Sequence, residues 1–415
     1  MMQQGRRMEL SLAVRRRAPV LRDEQRLTRR VEAFAPHLRP EILSLCERSA
    51  ALEDLADSFP ALLFALATTY GSVTARRSAR AAVEQGRSLR EAAAALGLPM
   101  WLRKLPPQAF QAPFGRLPHE PALIARLTSL IPAQAGVTAS WLDRVLTAYH
   151  TGRPELAIWA AQNYRAAGPA ATSETFLRIL AWAWHAGAPQ LHGELRGAAL
   201  LTQRWAPNIG VRRAASEAAL WRERIALDLF LGPGIADTWL ADGRGNDYDF
   251  VALRTADDFI AEARAMDNCL DRYSGRLGSG AVRIFSVRRE GWPVADVEIA
   301  AHEREIGMPA VTQLRAARNR RAAMEVWQAT YAWLGAQTLR AGTPQLQIKT
   351  SRAERRRRLE RLWRPFLDAL PEHARQAFER SVLPEATAAE ARARGRVARS
   401  PSPRLRGSSP GVEPS

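Results

Sequence analysis

The chain has 415 residues, 47% of them hydrophobic and 25% charged, enough for two or three packed cores at about 150 residues each and far beyond a disulfide-stapled miniature. Lysine and arginine number 60 against 42 acids, a formal charge of +18, which points to a polyanionic partner, with DNA or RNA the first candidate, or to a basic terminal extension. No run of about 18 uncharged apolar residues is present, the arginine-rich start lacks the apolar stretch of a secretory signal, and two distant cysteines, Cys46 and Cys269, exclude a disulfide framework or a cysteine-rich zinc site.

The expectation is a soluble, cytoplasmic protein with no membrane partner. Its positive excess is almost entirely arginine, since Lys104 and Lys349 are the only lysines. A guanidinium binds phosphate as a bidentate fork, although an alanine- and arginine-rich bias also follows from GC-rich codons alone.

In chain order, residues 1–30 carry nine arginines against Glu9, Asp23 and Glu24 and read as a flexible basic arm. Residues 31–240 read as an α-helical domain, with Ala- and Leu-rich segments broken by Pro or Gly and no sustained alternation of period two. Tryptophans recur at Trp141, Trp159, Trp182, Trp184, Trp205, Trp221 and Trp239, about one core anchor per helix, without the fixed period of a repeat array. Ser88 to Leu105 has the outline of a helix-turn-helix, with Gly97 at the turn and Arg103 and Lys104 beyond it. Pro106-Pro107 stops the second helix early, however, and Trp101 and Leu102 look like packing residues, so a structural corner is preferred. His185 and His192 read as incidental.

The period changes after Gly232-Pro233-Gly234. The polar run Asp242 to Asp249 reads as a turn-rich linker, because its acids fail the spacing of a calcium loop. Thr255 is set as an N-cap with Asp258 at the third helical position. The helix that follows puts Phe259, Ala263, Met266, Leu270 and Tyr273 on one stripe. Two strands, Ala281 to Arg288 and Pro293 to Ile299, flank a turn at Glu290-Gly291, and Val311 to Arg315 supplies a third. A helix over 320–337 presents Met324, Trp327, Tyr331 and Leu334 to the core. The fold class is therefore an α-helical amino-terminal domain plus a small α+β carboxyl-terminal domain, residues 241–350, with an antiparallel sheet of about three strands. Residues 351–383 form a basic helical extension, with seven arginines against two glutamates over 351–364, and residues 384–415 a disordered tail.

Within the α+β segment, Met266-Asp267-Asn268-Cys269-Leu270-Asp271-Arg272-Tyr273, a glycine turn, IFSVR, PVADVEI, and Gln313-Leu314-Arg315 with Asn319 resemble the PcfJ-like family over roughly residues 255–335. That family shares the order Met-x-x-Cys-Val-x-x-Tyr, Gly, Ile-x-Ser-x-Arg, Pro-x-x-x-x-Glu, Gln-x-Arg-Gly-x-x-Asn and is named for a protein encoded on a conjugative plasmid. The resemblance implies a mobile-element or plasmid-transfer setting, with other transfer proteins as partners, and no defined chemistry. Asn268 stands where the family often has His, which weakens a cysteine–histidine dyad. Ala316 stands where it usually has Gly, which hints at a less tightly turned backbone.

On a helix that runs on through Tyr273, Cys269 and Tyr273 are neighbours on one face. Cys269 then sits late in its helix, where the dipole disfavours thiolate, and reads first as a small buried hydrophobe. The hairpin register is open. Pairing Ser286 with Asp296 gathers the polar residues on one face, whereas pairing Ser286 with Ala295 sets Arg283 against Glu298.

Three functional readings follow. A nucleic-acid-associated accessory protein would make nonspecific phosphate contacts through Arg315, Arg318, Arg320 and Arg321 and through Arg355, Arg356, Arg357 and Arg358. An enzyme would use Cys269, Tyr273, Glu298, Gln313 and Asn319 as a pocket for a small or nucleotide-like substrate, with Arg288 or Arg315 holding an anionic group and Glu298 as base. A protein-interaction scaffold would use the helical array. No metal and no cofactor is expected.

Overall fold

The computed structural model describes residues 24–164, 173–187, 196–277, 282–302, 307–338 and 352–381. The expected arm over residues 1–23, His192, the end of the α+β segment and the expected tail lie outside them. The chain divides into two compact units, Met1–Tyr149 with Ala160–Gln162, and His150–Trp159 with Asn163–Ser415.

The first unit is helical, as expected, among its described residues. Its helices start where chemistry permits: Pro60 and Pro121 occupy first-turn positions that need no N–H donor, and the Ser72 and Ser88 hydroxyls accept the N–H groups of Ala75 and Glu91 at 3.0 and 3.3 Å. Phe34, Phe59, Phe64 and Phe110 are fully buried. Two expectations are corrected. Residues 24–30 are not part of a loose arm, because helix Glu24–Glu32 buries Leu27 and Val31, ties the half-buried Arg30 to Glu53 and Asp57, and leaves Arg26 and Arg29 outward. The Ser88–Leu105 stretch has only one α-helix, Leu89–Ala95; beyond Gly97 (φ +66°) the chain makes a single 3-10 element, Met100–Lys104, that buries Trp101 and Leu102. Five residues of 3-10 helix are too short to read a major groove.

In the second unit, helices α1 (Ser173–Gly187) and α2 (Val211–Leu231) precede a six-stranded antiparallel sheet. The strands are β1 (Gly243–Gly245), β2 (Tyr248–Ala252), β3 (Val282–Arg289), β4 (Trp292–Ala301), β5 (Pro309–Ala316) and β6 (Arg320–Arg321), paired in chain order. Helix α3 (Ala256–Met266) lies between β2 and β3 in sequence, α4 (Met324–Gly335) follows β6, and α5 (Arg352–Asp368) and α6 (Glu372–Ser381) follow α4.

The sheet is twice the expected size because Asp242 to Asp249 is not a linker. It forms the β1–β2 hairpin, with Gly243 opposite Phe250 and Gly245 opposite Tyr248. The glycines admit α4: a Cβ on Gly245 would stand 2.1 Å from the Ala329 carbonyl oxygen. The same close approach turns α4 from its expected orientation. Val326, small Ala329, Thr330 and Trp333 are buried, whereas Met324 and Tyr331 are 71% and 60% exposed. Trp333 stacks on Phe250 with centroids 4.5 Å apart and tilts against Phe285 at 4.8 Å. The Glu290-Gly291 turn is as expected, both residues having positive φ (53° and 82°), the type I′ geometry that matches strand twist.

The division between units falls near residue 150, not at the composition change near 240. Leu227 and Leu231 of α2 pack with Phe259, Ala263, Leu270 and Ile284, so the last long helix before the sheet belongs to the sheet's own core. Nor do residues 351–383 stand apart as an extension. Trp363, Phe366 and Phe378 are buried, and Trp363 meets Trp221 edge-on at 5.3 Å. His185 fills this aromatic cluster, its two ring nitrogens without hydrogen-bond partners and its pKa pushed down to about 4 by burial, so it is a neutral core residue.

Candidate functional site: a polar pocket on one sheet face

The register resolves in favour of polar clustering. Ser286 faces Asp296, Ile284 faces Glu298, Asp296 faces Arg315, and Glu298 faces Gln313. With a side-chain period of two, Phe285, Val287, Val297 and Leu314 take the opposite face, beneath α4. A bulge between Glu298 and Ile299 brings Thr312 as well as Gln313 onto Glu298.

Helix α3 covers the polar face. It begins with a full capping box, Thr255 Oγ1 accepting the Asp258 N–H at 3.2 Å and Asp258 Oδ2 accepting the Thr255 N–H at 2.8 Å. It ends earlier than the hydrophobic stripe implies. Asp267 adopts the left-handed conformation (φ 49°, ψ 53°), and Asn268 to Tyr273 continue as a turn and a 3-10 element, Leu270–Arg272. Cys269 is therefore not on a helix with Tyr273, and it is exposed instead of buried. The turn is pinned from behind by a buried ion pair, Asp271 Oδ2 accepting from Arg224 Nε at 3.0 Å and Nη2 at 2.9 Å.

These elements enclose a cavity of about 20 Å³, lined by Asn268, Cys269, Leu270, Tyr273, Ile284, Asp296, Glu298, Gln313, Arg315 and Asn319. That volume holds about one water. All five expected pocket residues, Cys269, Tyr273, Glu298, Gln313 and Asn319, are brought together, and Arg315 joins them. Arg288 is not. Its Nε donates to Ser286 Oγ at 3.1 Å and its Nη2 lies 3.5 Å from Glu262 Oε2, which holds it beside the cavity as an internal counter-charge.

The chemistry of the lining is unequal. Glu298 is buried with both oxygens engaged: Arg276 Nε donates to Oε2 at 2.7 Å, Thr312 Oγ1 donates to Oε1 at 2.6 Å, and Arg276 Nη2 closes the fork on Oε1. With the Tyr273 hydroxyl also hydrogen-bonded to it, a carboxylate so engaged is an anchor poorly placed to serve as base. Tyr273 stays a neutral donor, since burial, then the Glu298 charge, push its hydroxyl up to about 12. Asp296 differs from both. It is 7% exposed, and Asn268 Nδ2 donates to its Oδ2 at 2.6 Å. Burial, then the Glu262 charge and a hydrogen bond to the Glu262 carboxylate, push Asp296 up to about 8, so the two buried acids share a proton. Glu262, also buried, accepts the Ser286 hydroxyl at 2.6 Å.

Asp296 and Asn268 were not among the expected pocket residues. The signal for Asp296 was present in the hairpin pattern, but only the correct register assigns it to the pocket. Asn268 orients the Asp296 carboxyl instead of pairing with Cys269.

The rim is basic. Arg318 and Asn319 both have positive φ (58° and 57°), and Arg318 Nε reaches Asp267 Oδ2 at 3.2 Å. A left-handed Arg costs about 1–2 kcal/mol, strain retained at the mouth of the cavity. Ala316 is extended (φ −81°, ψ 177°), so the tight backbone lies two and three residues further on, at Arg318 and Asn319. Arg315 is exposed on β5 and pairs across the strands with Arg321, and Arg320 and Arg321 of β6 are exposed. On α5, Arg355 shares the helix with Arg356 and Arg358, which pair internally with Glu360 and Glu354 at 2.8 and 3.2 Å, and Arg357 is exposed. Among the described residues, no cluster of three or more His, Cys, Asp or Glu side chains has metal-site geometry, and no helix is long and apolar enough to cross a membrane. Comparisons with family models, with curated proteins and with solved structures return no match for this chain.

Proposed function

We propose that the pocket takes an anionic, nucleotide-like substrate and performs proton-transfer chemistry on it, with Asp296 as the acid. The observation that carries this reading is the buried Asp296 carboxyl, hydrogen-bonded to the Glu262 carboxylate and raised by burial, in a cavity also lined by Cys269, Tyr273, Gln313, Arg315 and Asn319. The cavity admits a single functional group. The remainder of the substrate lies across the exposed rim, where Arg315 offers a fork for phosphate and Asn319 and Gln313 offer amides.

The resemblance to the PcfJ-like family supports a mobile-element or plasmid-transfer setting. The exposed Arg318 and Arg321 beside the rim favour a substrate that is itself part of a nucleic acid; Arg320, opposite Ala316, lies on the other sheet face. Both readings share one surface and one test. Cys46 is buried and Cys269 exposed at the pocket, so N-ethylmaleimide in native buffer reports on Cys269 alone. A panel of nucleoside mono-, di- and triphosphates and a short oligonucleotide is expected to slow its alkylation, and Arg315→Ala to remove that protection. Unchanged alkylation across the whole panel would overturn the reading.

A further inference from the structure

The first unit holds a basic groove that the pocket does not explain. Arg26, Arg29 and Arg30 recur along one side of helix Glu24–Glu32, at offsets of three and four that place them on a common face. The helix is seated by Leu27 and Val31. Opposite them, the 3-10 element Met100–Lys104 presents Arg103 and Lys104, both exposed because Trp101 and Leu102 take its inner side. Between them runs an open groove of about 910 Å³, with apolar walls that include Pro60, Pro106, Ile131 and Pro132.

Five cations and a single acid, Asp57, line it. That acid is already spent: Arg30 Nη2 lies 2.6 Å from Asp57, and Arg30 Nη1 donates to Glu53 at 2.8 Å. Arg103 uses only its Nε internally, donating to the Ser58 carbonyl at 2.8 Å, which orients the rest of its guanidinium. Arg29 and Lys104 are exposed. Arg30 is neutralised in turn by Glu53 and Asp57, with Asp54 at 3.9 Å, so the groove's positive charge is carried by Arg26, Arg29, Arg103 and Lys104, with Arg103 held in place by backbone.

We infer that this groove binds the phosphate backbone of a nucleic acid. Cations strung along a helix and an adjacent turn suit a chain of phosphates better than one compact anion, and arginine forks match phosphate oxygens. Among the described residues no aromatic ring lines the groove to stack a base, so recognition is of the backbone and independent of sequence. The site is separate from the pocket and does not rest on its assignment.

The test uses the full chain with a labelled twenty-nucleotide single strand and its duplex, followed by anisotropy across a salt series. The triple variant Arg29→Ala, Arg103→Ala, Lys104→Ala is expected to weaken binding by about tenfold or more and to lower the slope of log affinity against log salt by about 2 for the single strand. Arg380→Ala, at an exposed arginine of α6 that lines neither the groove nor the pocket, is expected to leave that slope unchanged, which ties the loss to the groove's own cations. Whichever nucleic-acid form binds more tightly identifies the source of the backbone. An unaltered slope in the triple variant with its thermal unfolding preserved overturns the inference, as does displacement by polyglutamate at the concentrations at which unlabelled oligonucleotide displaces. A variant with Arg29→Gln alone, retaining Arg103 and Lys104, is expected to lose a fraction of the effect and guards against misfolding of the triple.

Discussion

The two faces of the sheet are built from alternate residues of the same strands and solve opposite problems. Beneath α4, Phe250, Phe285, Val287, Val297 and Leu314 meet Trp333 in a wholly apolar layer. Beneath α3, Ser286, Asp296 and Glu298 are as deeply buried, yet polar. The apolar face is closed by removal of hydrocarbon from water, a nondirectional gain that tolerates small shifts. The polar face is closed only if each group finds its partner: Glu298 with Arg276, Ser286 with Glu262, Asp271 with Arg224. Asp296 is the exception: it faces a second buried acid, Glu262, and the pair shares a proton. Stability resides on one side of the sheet and the exception that points to chemistry on the other.

Substitutions that treat the faces alike should separate them. Trp333→Ala opens the apolar layer and is expected to cost about 3–5 kcal/mol by denaturant unfolding. Loss below about 1 kcal/mol would mean that α4 does not close that face. Arg224→Ala leaves Asp271 buried without its counter-ion and is expected to cost about 3 kcal/mol or somewhat more, releasing the Cys269 turn and accelerating Cys269 alkylation. The buried acid makes a prediction of opposite sense. Since Asp296 is raised to about 8 in the folded chain, above its value in the unfolded chain, native Asp296 binds the extra proton. Its contribution is fully present below the unfolded pKa and is lost as pH rises through about 8. Stability of the wild type should fall over that window, and Asp296→Asn, measured by unfolding at stepped pH, should flatten the fall. Smallest is Thr255→Ala, which removes one side of the capping box at the start of α3 and is expected to cost about 1 kcal/mol, with no change in the pH profile.

Much of this division was legible in the sequence where local chemistry decides the structure. Thr255 with Asp258 and Glu290 with Gly291 mark a cap and a turn that depend on neighbouring residues alone, and both are present. The alternation in β3 and β4 gave two strands but left their register open, because either choice buries apolar residues on one face. Tertiary contact decided the rest. Gly243 and Gly245 carry no side chain to signal a strand, and they matter because α4 approaches their backbone. The stripe Met266, Leu270, Tyr273 continues undisturbed through the left-handed Asp267, so hydrophobic spacing could not show that α3 stops there and that Cys269 faces solvent. The arginines of residues 24–30 read as a solvated arm because the two apolar residues that seat their helix, Leu27 and Val31, form too short a pattern to stand out.

The account turns on a protonated acid buried on the polar face. Carbon NMR of the side-chain carboxyl groups, assigned to Asp296 by loss of its signal in Asp296→Asn, tests this directly. A titration midpoint near 8 that falls in Glu262→Gln is the predicted result. A midpoint in the ordinary carboxylate range, insensitive to Glu262, would contradict it.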